Sequence, residues 1–215
     1  MSVWIVVVAA GSGTRFGGPK QYELLGSSRL VDRSVATASR AADHVVLVVA
    51  PDDLDDVRTQ FHAHPSVTVA AGGSTRSASV RGGLAVIPND AEVIVVHDAA
   101  RPLASDDLFA RVIAAVRAGA DAAVPGIAVA DTLRRRAGGV VDREGVVAVQ
   151  TPQAFRADAL RTAHADEPAA SDDATLVEAI GGKVVIVSGE TTNFKITTSH
   201  DLMVARLLVE AGDPS

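Results

Sequence analysis

Residues 9–20 read AAGSGTRFGGPK, a glycine-rich turn that carries two cations, Arg15 and Lys20. An apolar, β-branched run, Val3–Val8, leads directly into it. A buried strand feeding such a turn presents backbone N–H groups able to wrap phosphate oxygens, and the cations can neutralise charge that amides cannot. A tight connection with two solvated cations uses the same residue types, so the loop alone does not decide. Spacing excludes two familiar phosphate motifs. The Walker A lysine is followed by Ser or Thr, whereas Lys20 lies between Pro19 and Gln21, and the dinucleotide fingerprint needs a third glycine where Phe16 stands.

Four further segments bring chemistry-bearing residues to expected strand ends. AGGSTRSASVRGGL (71–84) offers Gly72, Gly73 and Ser79, whose close backbone and hydroxyl suit a base edge or a ribose, although Ser74 or Thr75 would serve equally as a helix cap. VHDAARPL (96–103) presents Asp98, a sensible contact for Mg²⁺ or a ribose hydroxyl beside phosphates. His97 has no companion at metal-ligand spacing and reads better as a satisfied core histidine. VAVQTPQAF (147–155) sets Thr151-Pro152 in a shaped turn lining a pocket. TNFKIT (192–197) surrounds Lys195 with apolar neighbours that direct the ammonium to a cleft, or leave it snorkelling at the surface.

The elements that must position these residues are legible as alternating patterns. Strands are expected at Val3–Val8, His44–Val49, Val67–Ala70, Val93–His97, Ala122–Val124, Val146–Gln150 and Val184–Val187. Helical spacing recurs at Leu30–Arg40, Asp53–His62, Ser77–Ile87, Asp106–Ala118, Ala157–His164, Asp173–Ile180 and Asp201–Ala211. Ser105 and Ser171 stand as N-caps before acidic pairs, and Gly119 and Gly181 as stops. Near-continuous apolar strands alternating with helices predict an α/β fold, a doubly wound and mostly parallel sheet with ligands bound at the strands' carboxyl ends. Residues 129–145 break the rhythm. There, Gly138-Gly139 reads as a two-residue hairpin turn and the segment as a projecting β-hairpin arm. Its apolar residues Leu133, Val140 and Val141 would be covered by a partner, or the arm is a solvated surface hairpin.

Composition sets outer limits. The 215 residues suit one domain over 1–215, with 47% hydrophobic and 21% charged residues in the ordinary globular range. Without cysteine, disulfides and thiolate chemistry are absent, which is compatible with a cytoplasmic location. A net charge of −6 and 3% aromatics argue against nucleic-acid binding. The first apolar run is too short to span a bilayer and reads as a strand, so no membrane association is expected. Of the three lysines, Lys20, Lys183 and Lys195, two fall in candidate site segments.

Taken together, AAGSGTRF, PKQY, GGSTRSASV, VHDAARP, VADT, VDREG, TPQAF, SDDATLVE and NFKIT match one family in order and spacing. Over essentially its whole length the chain resembles the 2-C-methyl-D-erythritol 4-phosphate cytidylyltransferases of the non-mevalonate isoprenoid pathway. The resemblance implies a Rossmann-like nucleotidyltransferase fold and transfer of CMP from CTP to 2-C-methyl-D-erythritol 4-phosphate, with Mg²⁺ and release of pyrophosphate. It implies a nucleotide site at Ala9, Ala10, Gly11, Ser12, Gly13, Thr14, Gly72, Gly73, Ser79, Asp98 and Ala99. Arg15 and Lys20 would stabilise the transition state, and Arg143 and Lys195 would position the acceptor. Arg101, Thr132 and Thr151 would surround the second substrate, and Asp98 the metal, itself held mainly by phosphates. The family is a homodimer through the β-arm, with the arginine matching Arg143 reaching the neighbouring site. The interval from Arg15 to Lys20 is shorter than the family pattern. Competing readings are a ribitol 5-phosphate cytidylyltransferase, a non-catalytic nucleotide-binding module on this scaffold and a dinucleotide-dependent dehydrogenase, against which Phe16 weighs.

Overall fold

The structure, a computed structural model, describes residues 2–168, 170 and 172–212. In chain order the strands are β1 (Val3–Val8), β2 (Leu24–Leu25), β3 (Ser28–Arg29), β4 (His44–Val49), β5 (Val67–Ala71), β6 (Val93–Asp98), β7 (Ala122–Ala128), β8 (Leu133–Arg134), β9 (Val140–Val141), β10 (Val147–Val149), β11 (Gln153–Arg156) and β12 (Val184–Ser188). The α-helices are α1 (Leu30–Ala41), α2 (Leu54–Phe61), α3 (Arg76–Leu84), α4 (Asp106–Arg117), α5 (Ala157–His164), α6 (Asp173–Ala179) and α7 (Ser199–Glu210).

The run VWIVVV becomes a central strand because both of its faces are covered. β1 pairs in parallel with β4 on one side and β6 on the other, so that Ile5 lies opposite both Val45 and Val95. One face of the sheet packs with α1, α2 and α4 through Val35, Val57, Phe61, Leu108 and Phe109. The other packs with α3, α5 and α6 through Val80, Leu84, Leu160 and Val177. Each Val, Ile, Leu or Phe so buried contributes about 1.5–3 kcal/mol relative to exposure, which is why β-branched runs with no polar face are stable here and not in an open sheet. β5 and β4 extend the sheet from β1 in one direction, and β6 extends it in the other. The strand order therefore switches direction between β1 and β6, the place where such sheets bind ligands.

Beyond β6 the sheet includes two antiparallel strands, β11 and β10, the latter running against β7 with Val149 opposite Gly126. β11 runs against both β6 and β7, while β12 pairs in parallel with β7 on its far side. The sequence reading placed only a shaped turn at TPQAF. Gln153 and Phe155 carry no clean alternation because Gln153, Ala154 and Phe155 are all buried. The peptide Thr151-Pro152 is cis and joins β10 to β11.

The arm is present, with one correction. β8 and β9 pair with Leu133 opposite Val141 and Arg134 opposite Val140. The turn is not the two residues Gly138-Gly139. The amide of Gly138 donates to the carbonyl of Arg135, and that of Arg135 to the carbonyl of Gly139. The loop is thus Arg136-Ala137-Gly138, a three-residue turn in which Gly138, at φ 103°, is the left-handed residue that forms the bulge.

The caps follow the sequence closely. The Ser105 side chain accepts from the amide of Leu108 at the start of α4, and Thr75, rather than Ser74, caps α3. Asp172 caps α6, accepting from the amide of Ala174; Ser171, the expected cap, lies outside the described residues. Among the described residues no helix is long and apolar enough to cross a membrane.

Candidate active site

A cleft of about 460 Å³ opens at the carboxyl ends of β1, β5 and β6. Its lining includes Ala9 to Arg15, Lys20, Gly73, Ser79, Asp98, Ala99 and Lys195, which the sequence singled out, together with Ser74, Thr75 and Arg76. Four segments meet here, three of them leaving the carboxyl ends of β1, β5 and β6 and the fourth bearing Lys195.

The glycine loop is shaped by Gly13. Its φ of +64° is open to glycine, and a Cβ there would stand 1.8 Å from the carbonyl oxygen of Gly18. The Gly13 carbonyl in turn accepts from the amides of Phe16, Gly17 and Gly18 at 2.8, 3.0 and 3.3 Å. The turn from 13 to 18 is closed on itself, whereas the N–H groups of Gly11 to Arg15 meet no acceptor among the described residues. That is a row of donors on a cleft wall, the arrangement that binds phosphate. Gly72 lies where β5 meets the loop, and a Cβ there would stand 2.5 Å from Cβ of Ala10 and 2.9 Å from Oγ of Ser79. Ser79 itself donates to the carbonyl of Thr75 and accepts from the amide of Gly73.

Asp98 supplies the one carboxylate of the cleft lining. Nζ of Lys195 donates to its Oδ2 at 2.6 Å, and Nε of Arg76 to its Oδ1 at 3.3 Å. Burial opposes the charge, yet Arg76 and Lys195 together hold Asp98 well below the usual carboxylate range. Lys20 is lowered from the ordinary lysine value, first by burial and then by repulsion from Lys195 and Arg15. Four cations, Arg15, Lys20, Arg76 and Lys195, therefore line a cleft that offers them one carboxylate among the described residues, an arrangement relieved by a polyanion.

Arg101, Thr132, Thr151 and Arg143 do not line this cleft. Arg101 donates from Nη1 to the carbonyl of Asn193 at 2.7 Å, tying the end of β6 to the segment bearing Lys195. Thr151 is buried behind Asp98, and its Oγ1 accepts from the amide of Asp98. Thr132 and Arg143 stand exposed on the arm, where Nη1 of Arg143 donates to the carbonyl of Ala130. His97 is the core histidine expected: fully buried, tilted against Phe109, with Nε2 3.2 Å from the carbonyl of Arg101. Arg76 is the residue sequence reasoning missed. Its only signal was position, directly after the cap of a helix that follows Gly72-Gly73.

A polyanion cleft at the switch point of a mixed α/β sheet, walled by a glycine loop and cations from separate strand ends, defines a nucleotidyltransferase. The family model described as IspD, 2-C-methyl-D-erythritol 4-phosphate cytidylyltransferase, matches residues 3–211. The chain belongs to that family. A relative from Rhodococcus opacus, named 2-C-methyl-D-erythritol 4-phosphate cytidylyltransferase, is 45% identical over 217 residues, covering 96% of this chain and 95% of its own. The crystal structure of the Thermus thermophilus 2-C-methyl-D-erythritol 4-phosphate cytidylyltransferase superposes with a TM-score of 0.81 at 37% identity, covering 98% of this chain and 100% of that one. A 4-diphosphocytidyl-2C-methyl-D-erythritol synthase from Anaerococcus prevotii gives 0.85 at 28% identity, covering 97% and 98%. These matches do not favour the ribitol 5-phosphate, non-catalytic or dehydrogenase readings.

Proposed function

We propose that this chain transfers CMP from CTP to 2-C-methyl-D-erythritol 4-phosphate, with the triphosphate in the cleft of the glycine loop. The observation that carries the reading is the crowding of Arg15, Lys20 and Lys195 about unpaired loop amides in a chain of this family. An oxygen of the acceptor's phosphate attacks the α-phosphorus of CTP, a new P–O bond forms, and the bond to the β-phosphate breaks to release pyrophosphate. The nucleophile is already an anion, so no general base is required and the cleft supplies none. Its contribution is alignment and charge neutralisation. Arg15 and Lys20 face the charge that develops on the transferred phosphoryl group and the leaving pyrophosphate, while Lys195 holds the acceptor phosphate.

Mg²⁺ fits this site in one way only. No cluster of three His, Cys, Asp or Glu side chains exists among the described residues, and both oxygens of Asp98 are already engaged by cations. The phosphates themselves would hold the ion, with Asp98 as the single protein carboxylate near it, a mode common for this cation. When bound, it adds charge neutralisation along the triphosphate.

Support for a homodimer comes from exposed apolar residues at the root of the arm. Val147 and Val149 on β10 and Ile186 on β12 are exposed, and the first and last flank Gly126 on one face. A second copy covering these residues and the exposed Val140 of the arm would bring Arg143 and Thr132 to the neighbouring cleft. We take the chain to act as one domain over 1–215, in the cytoplasm, with Arg101 and Thr151 behind the acceptor site.

Pyrophosphate release tests the reading: purified protein with Mg²⁺ and CTP, given either methylerythritol phosphate or ribitol 5-phosphate. Release with the former alone, reduced roughly 10²–10³-fold in Arg15→Ala and Lys20→Ala, is the expected outcome. Release only with ribitol 5-phosphate, or with neither, overturns it.

A further inference from the structure

Behind the cleft the ion pairing continues into the core. Lys195 takes Oδ2 of Asp98, and the Oδ1 side of that carboxylate meets Nε of Arg76. Arg76 then turns inward, and its Nη1 donates to Oδ2 of Asp173 at 2.6 Å. Oδ1 of Asp173 lies 3.0 Å from Nε2 of His164. The side chain of Asp173 is 1% exposed and lines no part of the cleft. It belongs to SDDATLVE, a segment with no place in the site described so far.

We propose that Asp173 is a positioning residue for Lys195. It fixes the Arg76 guanidinium so that one N–H meets Asp98, which leaves Oδ2 of Asp98 to the Lys195 ammonium.

The bond lengths carry the argument. A guanidinium beside a lone carboxylate engages both oxygens in a parallel fork. Here Arg76 makes its short contact, 2.6 Å, to the remote Asp173 and its long one, 3.3 Å, to Asp98. Asp173 thus draws the fork away from the cleft. It is well anchored to do so. His164 occupies its second oxygen, Asp172 caps the first turn of α6, and Nε2 of Gln153 donates to Asp172 at 2.8 Å. The charges alternate from Lys195 through Asp98 and Arg76 to Asp173. Without Asp173, Arg76 takes both oxygens of Asp98, and Lys195 is left without the anion that aims it. Helix α6, remote from the cleft, so sets the direction of a cleft lysine.

The effect on turnover rests on the proposed role of Lys195 at the acceptor phosphate, so the test has one arm that does not depend on it. The chain holds only three lysines, and Lys183 is exposed away from the cleft, which makes it an internal reference for competitive acylation read by peptide mass spectrometry. In Asp173→Asn, acylation of Lys195 relative to Lys183 is expected to rise about two- to fivefold, the loss of one partly exposed ion pair, and Asp173→Glu to bring it back. Unchanged labelling in a folded Asp173→Asn protein overturns the proposal. In turnover, Asp173→Asn should lower kcat/KM for the acceptor roughly 10–100-fold. In an Arg76→Gln background the same substitution should cost nothing further, because its route to the cleft is already cut. That comparison decides the matter even if Asp173→Asn alone fails to fold, and a further loss in the double variant overturns the proposal. Should the unaltered protein release no pyrophosphate at all, the functional reading fails and the labelling arm alone decides the positioning role.

Discussion

The backbone N–H of Asp98 donates to Oγ1 of Thr151 at 3.0 Å, and the same oxygen lies 3.2 Å from Nδ1 of His97. A hydroxyl at the end of one strand thereby holds the carboxylate at the end of another. On the far side, Nδ2 of Asn193 donates to the carbonyl of Thr151 at 2.9 Å, two residues before Lys195. Thr151 thus ties the backbone of Asp98 to the Asn193 side chain, two residues from Lys195.

Thr151→Val keeps the shape of the side chain and removes the hydroxyl. The buried Asp98 amide then lacks an acceptor, and the expected loss of unfolding free energy is about 1–3 kcal/mol, measured by urea denaturation. Thr151→Ser should recover most of it. Pyrophosphate release is expected to fall alongside stability. Lost activity at unchanged stability would instead assign the hydroxyl to the substrate alone.

His97 makes stability depend on pH. Burial foremost pushes its pKa down to about 4, against the pull of Asp98 and with help from Arg101. The folded protein keeps the ring neutral, while the unfolded chain takes up a proton below its ordinary value of 6.5. The contribution is therefore fully present above pH 6.5 and is lost as pH falls toward 4, amounting to about 3 kcal/mol over that window. Denaturation of the unaltered protein and of His97→Gln across this range should show their difference in stability shrinking as the pH drops. A constant difference would mean that the buried ring is protonated.

Most of the scaffold and the cleft's cations were legible in the sequence because their causes are local. Val3–Val8 is apolar throughout because both faces are covered, and that shows in one dimension. Arg15, Lys20 and Lys195 stand out as cations in apolar or glycine-rich surroundings, and all three reach the cleft. What was not legible depends on the third dimension. Strand β11 hid because Gln153 is buried without alternation. Arg76 hid because an arginine in a helix's first turn is ordinarily solvated, and its meaning comes from Asp98 and Asp173, brought to it by β6 and α6. The turn of the arm was misplaced by one bulge, since two adjacent glycines fit either hairpin geometry.

The glycine loop should tolerate a methyl at Gly17 far better than at Gly13. Both have positive φ, but a Cβ at Gly17 meets nothing within 4 Å, whereas at Gly13 it meets the Gly18 carbonyl. Gly17→Ala carries only the left-handed strain of about 1–2 kcal/mol. Gly13→Ala must also open the closed turn, and CTP affinity by titration calorimetry is expected to fall about tenfold or more, ~1.4 kcal/mol or above. Equal losses in the two variants would remove the turn's closure as the cause.

The proposed homodimer predicts a complementation result. Arg143→Ala and Lys20→Ala proteins, each nearly inactive, are unfolded together and refolded as a mixture. If Arg143 serves the neighbouring cleft, mixed dimers contain one site with both residues intact, and pyrophosphate release returns. Ile186→Asp, which charges the patch, should shift sedimentation toward the monomer and abolish this recovery. No recovery from a mixture that sediments as dimers would confine Arg143 to its own chain.

The pairs that build the cleft join distant parts of the chain. Lys195 to Asp98 and Asp173 to Arg76 each span 97 positions. Contacts of such sequence separation form late and slowly, since a long loop must close before they are rewarded. A chain still emerging from the ribosome can complete its β1 loop, yet it has no Asp98–Lys195 pair until its last quarter is released. The lysine proposed to hold the acceptor phosphate is thus aimed only as a closing event of folding, after the glycine loop that β1 delivers.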